Sequence, residues 1–273
     1  MEDPPVPFFL CGFASLREIS GFFMGSRIKN IGLTLAMGWF VLIGTAEGGP
    51  PFVTDDPEVP PVGGWEINIP FTLDRTTGST QMDAPLFDLN YGLPQLQLEF
   101  DVPVAVSSDQ KATNAGLGDL LYGIKWRFFD DEKTQIQFAT YPQMFAPTGN
   151  YRRGLGGGRP NYILPLLAEK SWDKWTLYGD VGYRLQTALG QESYWYTGAV
   201  LQREINDRLS LGVELFGNTT TVPNGRPEFA FNVGGSLKLN DHLNFIFTGG
   251  RDFVGDTHAA LYLGLQILTK VEK

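Results

Sequence analysis

The chain has 273 residues, of which 42% are hydrophobic, 19% charged and 13% aromatic, with a net charge of -9. This composition excludes a disordered chain, and the acidic balance, with a pI near 4.8, argues against a nucleic-acid partner. A mean hydropathy of -0.11 is too low for a helical membrane bundle, while two His and one Cys leave little for a zinc site and nothing for an intrachain disulfide.

Residues 1–23 fit no targeting plan and read as an N-terminal extension ahead of a natural start at Met24. Residues 24–46 read as a signal peptide. Arg27 and Lys29 form its basic start, Ile31–Ile43 its apolar centre, and Gly44 and Ala46 the small residues before cleavage. A helical anchor would need roughly 20 apolar residues. Leu10 stands before Cys11 where lipidation would need a small residue. Residues 47–63 form a Pro-rich segment, periplasmic or lumen-plugging, in which Asp55, Asp56 and Glu58 cluster. These three are plug candidates. The plainer reading is a turn in which Asp caps backbone amides. A metal is disfavoured there, because the oxygen ligands are few and Pro57 restricts them.

From 64 to the end, apolar and polar residues alternate with period two. Leu96, Leu98, Phe100, Val102 and Val104 oppose Gln97, Glu99 and Asp101. Tyr122, Ile124, Trp126 and Phe128 oppose Lys125 and Arg127. Leu177, Val181 and Leu185 oppose Asp180 and Arg184, and Leu211, Val213 and Leu215 oppose Ser210 and Glu214. Phe229, Phe231 and Val233 oppose Glu228 and Asn232, and Leu261, Leu263 and Leu265 oppose Tyr262 and Gln266. The runs last about 9–13 residues, where soluble strands average about 5–6 and a tilted bilayer crossing needs about 9–11.

The spacing predicts about twelve strands: 64–74, 83–91, 94–104, 116–129, 134–145, 160–170, 174–186, 193–204, 208–218, 227–239, 242–251 and 256–268. Pro85 interrupts the second. Short turns at 91–94, 130–133, 171–174, 206–208 and 240–242 alternate with long Gly-, Pro-, Ser- and Thr-rich stretches at 75–82, 105–115, 146–158, 187–192, 218–226 and 251–256. Short turns on one side and long loops on the other are the habit of outer-membrane barrels. Trp65, Trp126, Phe128, Phe129, Trp172 and Trp175 lie beside the chain start or the short turns, and Tyr141, Phe145, Tyr194, Trp195 and Tyr196 near the long loops. They read as two interfacial belts. The expected fold is all-β: a transmembrane antiparallel up-and-down β-barrel over 64–273, even in strand number.

The opening Gly49-Pro50-Pro51-Phe52-Val53-Thr54-Asp55-Asp56-Pro57-Glu58, followed by Gly64-Trp65-Glu66, resembles the start of the outer-membrane proteins of the MetA-pathway of phenol degradation family. Gly116-Leu117-Gly118-Asp119, Gly123-Ile124-Lys125-Trp126-Arg127-Phe128 and Trp175-Thr176-Leu177-Tyr178-Gly179-Asp180 carry the likeness onward. The resemblance implies a β-barrel and a channel for small organic compounds, with no catalytic residues and no cofactor. Gly64 departs from a pattern that often has His before Trp-Glu.

The mid-strand charges are Glu66, Asp88, Glu99, Asp101, Asp119 and Lys125, then Arg127, Asp180, Arg184, Glu214, Glu228 and Lys238. In a closed barrel they are pore-lining candidates of mixed sign with an acidic excess. A barrel of this size lies between those packed with side chains and those open to water, so a channel and a filled structural or adhesive barrel both stand. Gly154–Gly158, flanked by Arg152, Arg153 and Arg159, lacks the following helix of a phosphate loop. It reads as a flexible outer loop or a contact for lipopolysaccharide phosphates. His242 in a tight turn and His258 at a strand start have no nucleophile signature beside them, which leaves a hydrolase as the remotest function. The expected partners are outer-membrane lipids, lipopolysaccharide and a small solute, with no metal.

Overall fold

The computed structural model describes residues 50–270. The expected extension and signal peptide lie outside the described residues. The strand segments are β1 Trp65–Thr76, β2 Ser79–Leu93, β3 Leu96–Asp109, β4 Thr113–Leu117, β5 Leu120–Asp131, β6 Ile136–Thr140 and β7 Gln143–Ala146. Then follow β8 Asn161–Trp172, β9 Trp175–Leu185, β10 Tyr194–Asn206, β11 Leu209–Asn218, β12 Glu228–Asn240, β13 Leu243–Val254 and β14 Thr257–Leu268.

Two pairs of segments are single interrupted crossings. β3 pairs with both β4 and β5, and β8 with both β6 and β7. The second break falls at Tyr141 and Pro142, because proline has no N–H for a ladder bond. Ile124 N instead donates to the Pro142 carbonyl at 3.0 Å. The result is twelve antiparallel strands, closed where β1 pairs with β14. Closure pairs the backbone polar groups around the whole circumference, as hydrocarbon requires. A single 3-10 turn, Tyr151–Arg153, is the one helical element among the described residues.

The start of the first strand and the end of the last meet at one rim, where Trp65 N donates to Thr269 Oγ1 at 2.8 Å and Thr269 N to the Trp65 carbonyl at 3.0 Å. The tight connections 94–95, 132–135, 173–174, 207–208 and 241–242 share that turn end. The opposite, loop end differs from expectation. Only 147–160, 186–193 and 219–227 are long there, while 77–78, 110–112 and 255–256 are tight turns. The Ser- and Thr-rich stretches read as loops are strand, with Thr76 opposite Ser79, and Ser79 opposite Asp109. Polar composition there marks strand that stands beyond the apolar band.

The β2–β3 turn sits at Pro94 and Gln95, where Gln95 takes a φ of 58°, rather than at 91–94. The ladder between β1 and β2 shifts register between Asn68 and Thr72, and that between β2 and β3 between Asp83 and Leu86. Pro70 and Pro85 stand in those gaps, each without an N–H to donate.

Period two sorts the side chains. Leu98, Leu177, Val213 and Leu263 are exposed on the outer face, with Tyr122, Ile124 and Trp126 among their neighbours. Lys125, Asp180, Arg184 and Glu214 are buried inside. Trp65, Trp126, Phe128, Phe129 and Trp172 ring the turn end outside. The second belt is corrected. Tyr141 and Phe145 share the inward parity of Ala139 and are buried in the lumen, and Tyr194 and Tyr196 line its cavity. Tyr151, Trp195, Phe229 and Phe253 are exposed aromatics of the loop end.

Candidate functional site in the barrel lumen

The segment before β1 folds back into the barrel and hydrogen-bonds to four strands. The Pro51 carbonyl accepts from Thr248 Oγ1 of β13 at 2.7 Å. Thr54 N donates to Glu214 of β11, and Asp55 N to Asp180 of β9 at 3.3 Å. Lys125 of β5 donates to the Asp55 carboxylate at 2.8 Å and to the Asp56 carbonyl at 2.9 Å. Phe52 packs with Tyr178 and Val200, and burying such a side chain is worth about 1.5–3 kcal/mol. Two glycines make the room. A Cβ at Gly198 would overlap Thr54, and one at Gly212 would come 2.9 Å from the Phe52 ring.

Above this segment a cavity of about 760 Å³ opens toward the loop end. Pro51, Val53 and Thr54 form its floor, and Gln191, Val222 and Asp256 belong to its mouth. Its lining holds eleven carboxylates against four arginines, so its potential is negative. The loop 147–160 bends over one wall. Asp119, at the break between β4 and β5, accepts from Gly149 N at 2.8 Å and Gly157 N at 2.7 Å, and Leu155 is buried.

The structure sorts the sequence-derived candidates. Glu99, Asp101, Asp119, Asp180, Arg184 and Glu228 line the cavity. Arg184 is held by Asn161 Oδ1 at 3.0 Å and lies over the Phe145 ring. Glu66, Lys125, Arg127, Glu214 and Lys238 do not line it. Glu214 is 0% exposed, because the segment and Asn232 Nδ2, at 2.6 Å, cover it. Lys125 is occupied by Asp55. Glu66 receives Asn68 Nδ2 at 3.2 Å. Arg127 pairs with Asp130 at 3.4 Å and Lys238 with Asp241 at 2.8 Å, both near the turn end. Of the segment's acids, Asp55 is buried, Asp56 half-buried and Glu58 exposed.

The sequence profile of the family described as "Putative MetA-pathway of phenol degradation" matches residues 51–264. The chain belongs to that family. Three solved structures have a similar fold. An outer membrane channel from Pseudomonas putida F1 is 18% identical with a TM-score of 0.66, covering 78% of this chain and 98% of that one. The NanC porin is 5% identical with a TM-score of 0.54, covering 74% and 98%. The KdgM porin is 11% identical with a TM-score of 0.51, covering 73% and 98%. No match was found among curated proteins. At such identities the likeness is one of fold.

The lumen of this MetA-pathway family barrel also holds a group that sequence reading did not join. Asp88, Glu99 and Asp101 bring carboxylate oxygens within 4.8 Å of one another. The hairpin carries the signal. A two-residue turn at 94–95 sets Asp88 opposite Asp101 and Asn90 opposite Glu99, whereas a turn centred two residues earlier does not.

Proposed function

We propose that the chain is a passive outer-membrane channel for small organic solutes, exported through the signal peptide at 24–46 and closed from the turn side by residues 50–60. The observation that carries this reading is the acidic cavity of about 760 Å³, open at the loop end and floored by Pro51, Val53 and Thr54. A solute enters between the loops, meets the Asp101, Asp180 and Arg184 wall, and passes when the segment yields. Family membership supports the same role. Arg152 and Arg153 are exposed in the loop 147–160, where lipopolysaccharide phosphates would meet them. The protein does its work by binding and passage, with no chemistry on the solute. His242 Nδ1 is engaged by the Leu268 carbonyl at 2.8 Å and His258 Nε2 by Thr77 Oγ1 at 2.6 Å.

The buried Phe52, Thr54 and Pro57 favour a second reading, a barrel filled for structural purposes. Swelling of proteoliposomes in isotonic solute separates the two. The channel reading expects neutral and cationic small aromatics to enter faster than anionic ones of the same size. Swelling no faster than that of protein-free liposomes, for every solute, supports the filled barrel.

A further inference from the structure

We propose that Asp88, Glu99 and Asp101, on the inner face of β2 and β3, bind a hard divalent cation, with calcium the best match. The three carboxylates offer oxygens within 4.8 Å of one another, and Asp88 stands directly across the ladder from Asp101. Like charges placed opposite each other weaken a sheet, so the arrangement calls for a counter-ion. The nearby ammonium acts on them through space and gives its short contact to another acid. Lys125, on the neighbouring β5, is already bound to Asp55 at 2.8 Å.

Two further side chains point to a ligand independently of the acids. Asn68 is 0% exposed. Its Nδ2 donates to Asp88 at 2.8 Å, while its Oδ1 is buried with no donor. A buried acceptor without a donor is costly, and a cation satisfies it. Tyr262, on β14, is 6% exposed, and its hydroxyl has no hydrogen-bond partner. Its ring leans over Gly264, where a Cβ would come 3.0 Å from Cε1, and it lines the same cavity as Asp88 and Asp101. Glu99 Oε2 is likewise buried without a donor.

The donor set is oxygen throughout, which suits calcium, whose ligands are carboxylates, amide carbonyls and water. Zinc prefers nitrogen and sulfur, and magnesium keeps most of its water. A bound cation would tie β2 to β3 at the point where their like charges meet, and would lower the negative charge of the wall.

The test uses the full barrel in detergent, stripped with chelator, with folding checked by its heat-modifiable gel mobility. Terbium luminescence excited through tyrosine reports occupancy, and calcium competes. The expected result is one saturable site, emptied of terbium by calcium, and a thermal midpoint that rises with calcium. Glu99→Gln and Asp101→Asn should each weaken calcium by roughly tenfold or more, since ligand charge sets affinity. Asp241→Asn, at an exposed turn, should leave it unchanged. No saturable binding by the folded parent, or equal binding by parent and both folded variants, overturns the proposal. No current is measured, so the outcome is separate from the channel reading.

Discussion

The Lys125 ammonium lies 2.8 Å from the Asp55 carboxylate, and both side chains are 4% exposed. The pair joins the wall of the barrel to the segment inside it. Removing one member of a buried pair strands the other, at a cost of about 3–5 kcal/mol. Lys125→Met should therefore release the segment and raise single-channel conductance. The double variant Lys125→Met with Asp55→Leu removes both fully buried charges, leaving only the part-exposed Asp56 without its 3.9 Å partner, and should close again. Equal conductance in parent, single and double variants would separate this pair from closure.

Gly198 tests the same closure through shape. Its missing Cβ is the space that Thr54 fills. Gly198→Val should expel residues 50–60 and expose them to protease, while the barrel keeps its heat-modifiable gel shift. A segment as protected as in the parent would show that it sits elsewhere.

The lipid face follows from the exposure of Leu98, Leu177, Val213 and Leu263. Arg at any of them should cost roughly 2–4 kcal/mol if the site is near the bilayer midplane, read as a shift in the urea midpoint for folding into vesicles. Unchanged midpoints for all four would reject this register.

The excess of carboxylates in the cavity predicts a mild preference for cations, visible as a reversal potential under a salt gradient. Glu228→Gln with Asp256→Asn, at the mouth, should reduce it. Asp119 should behave differently. It binds Gly149 and Gly157 amides, and charge-assisted bonds of this kind are worth about 1.5–3 kcal/mol each. Asp119→Ala should free the loop 147–160, which limited proteolysis would detect, rather than only shift selectivity.

The wall of the barrel was legible because period two carries both faces at once. Leu177 and Val181 outside, with Asp180 and Arg184 inside, can be read from the string alone. The strand ends at 76–79 and 105–109 were not, because Ser, Thr and Asp in a ladder beyond the membrane have the composition of loops. Nearness to a loop misplaces Tyr141 and Phe145, because their parity with Ala139 turns them inward. The Asp88–Asp101 pairing needed a register, which one turn position decides. The path of Asp55 to Lys125 depends on how a closed barrel receives its own N-terminal segment, and no local pattern encodes a contact 70 residues apart.

Residues 50–60 are proposed to close an otherwise conducting, cation-preferring lumen. Single-channel recording in planar bilayers, under a salt gradient, tests it most directly. The parent should show a small cation-selective conductance that rises several-fold in Lys125→Met. Silence from both proteins, each shown to be folded and inserted, would contradict it.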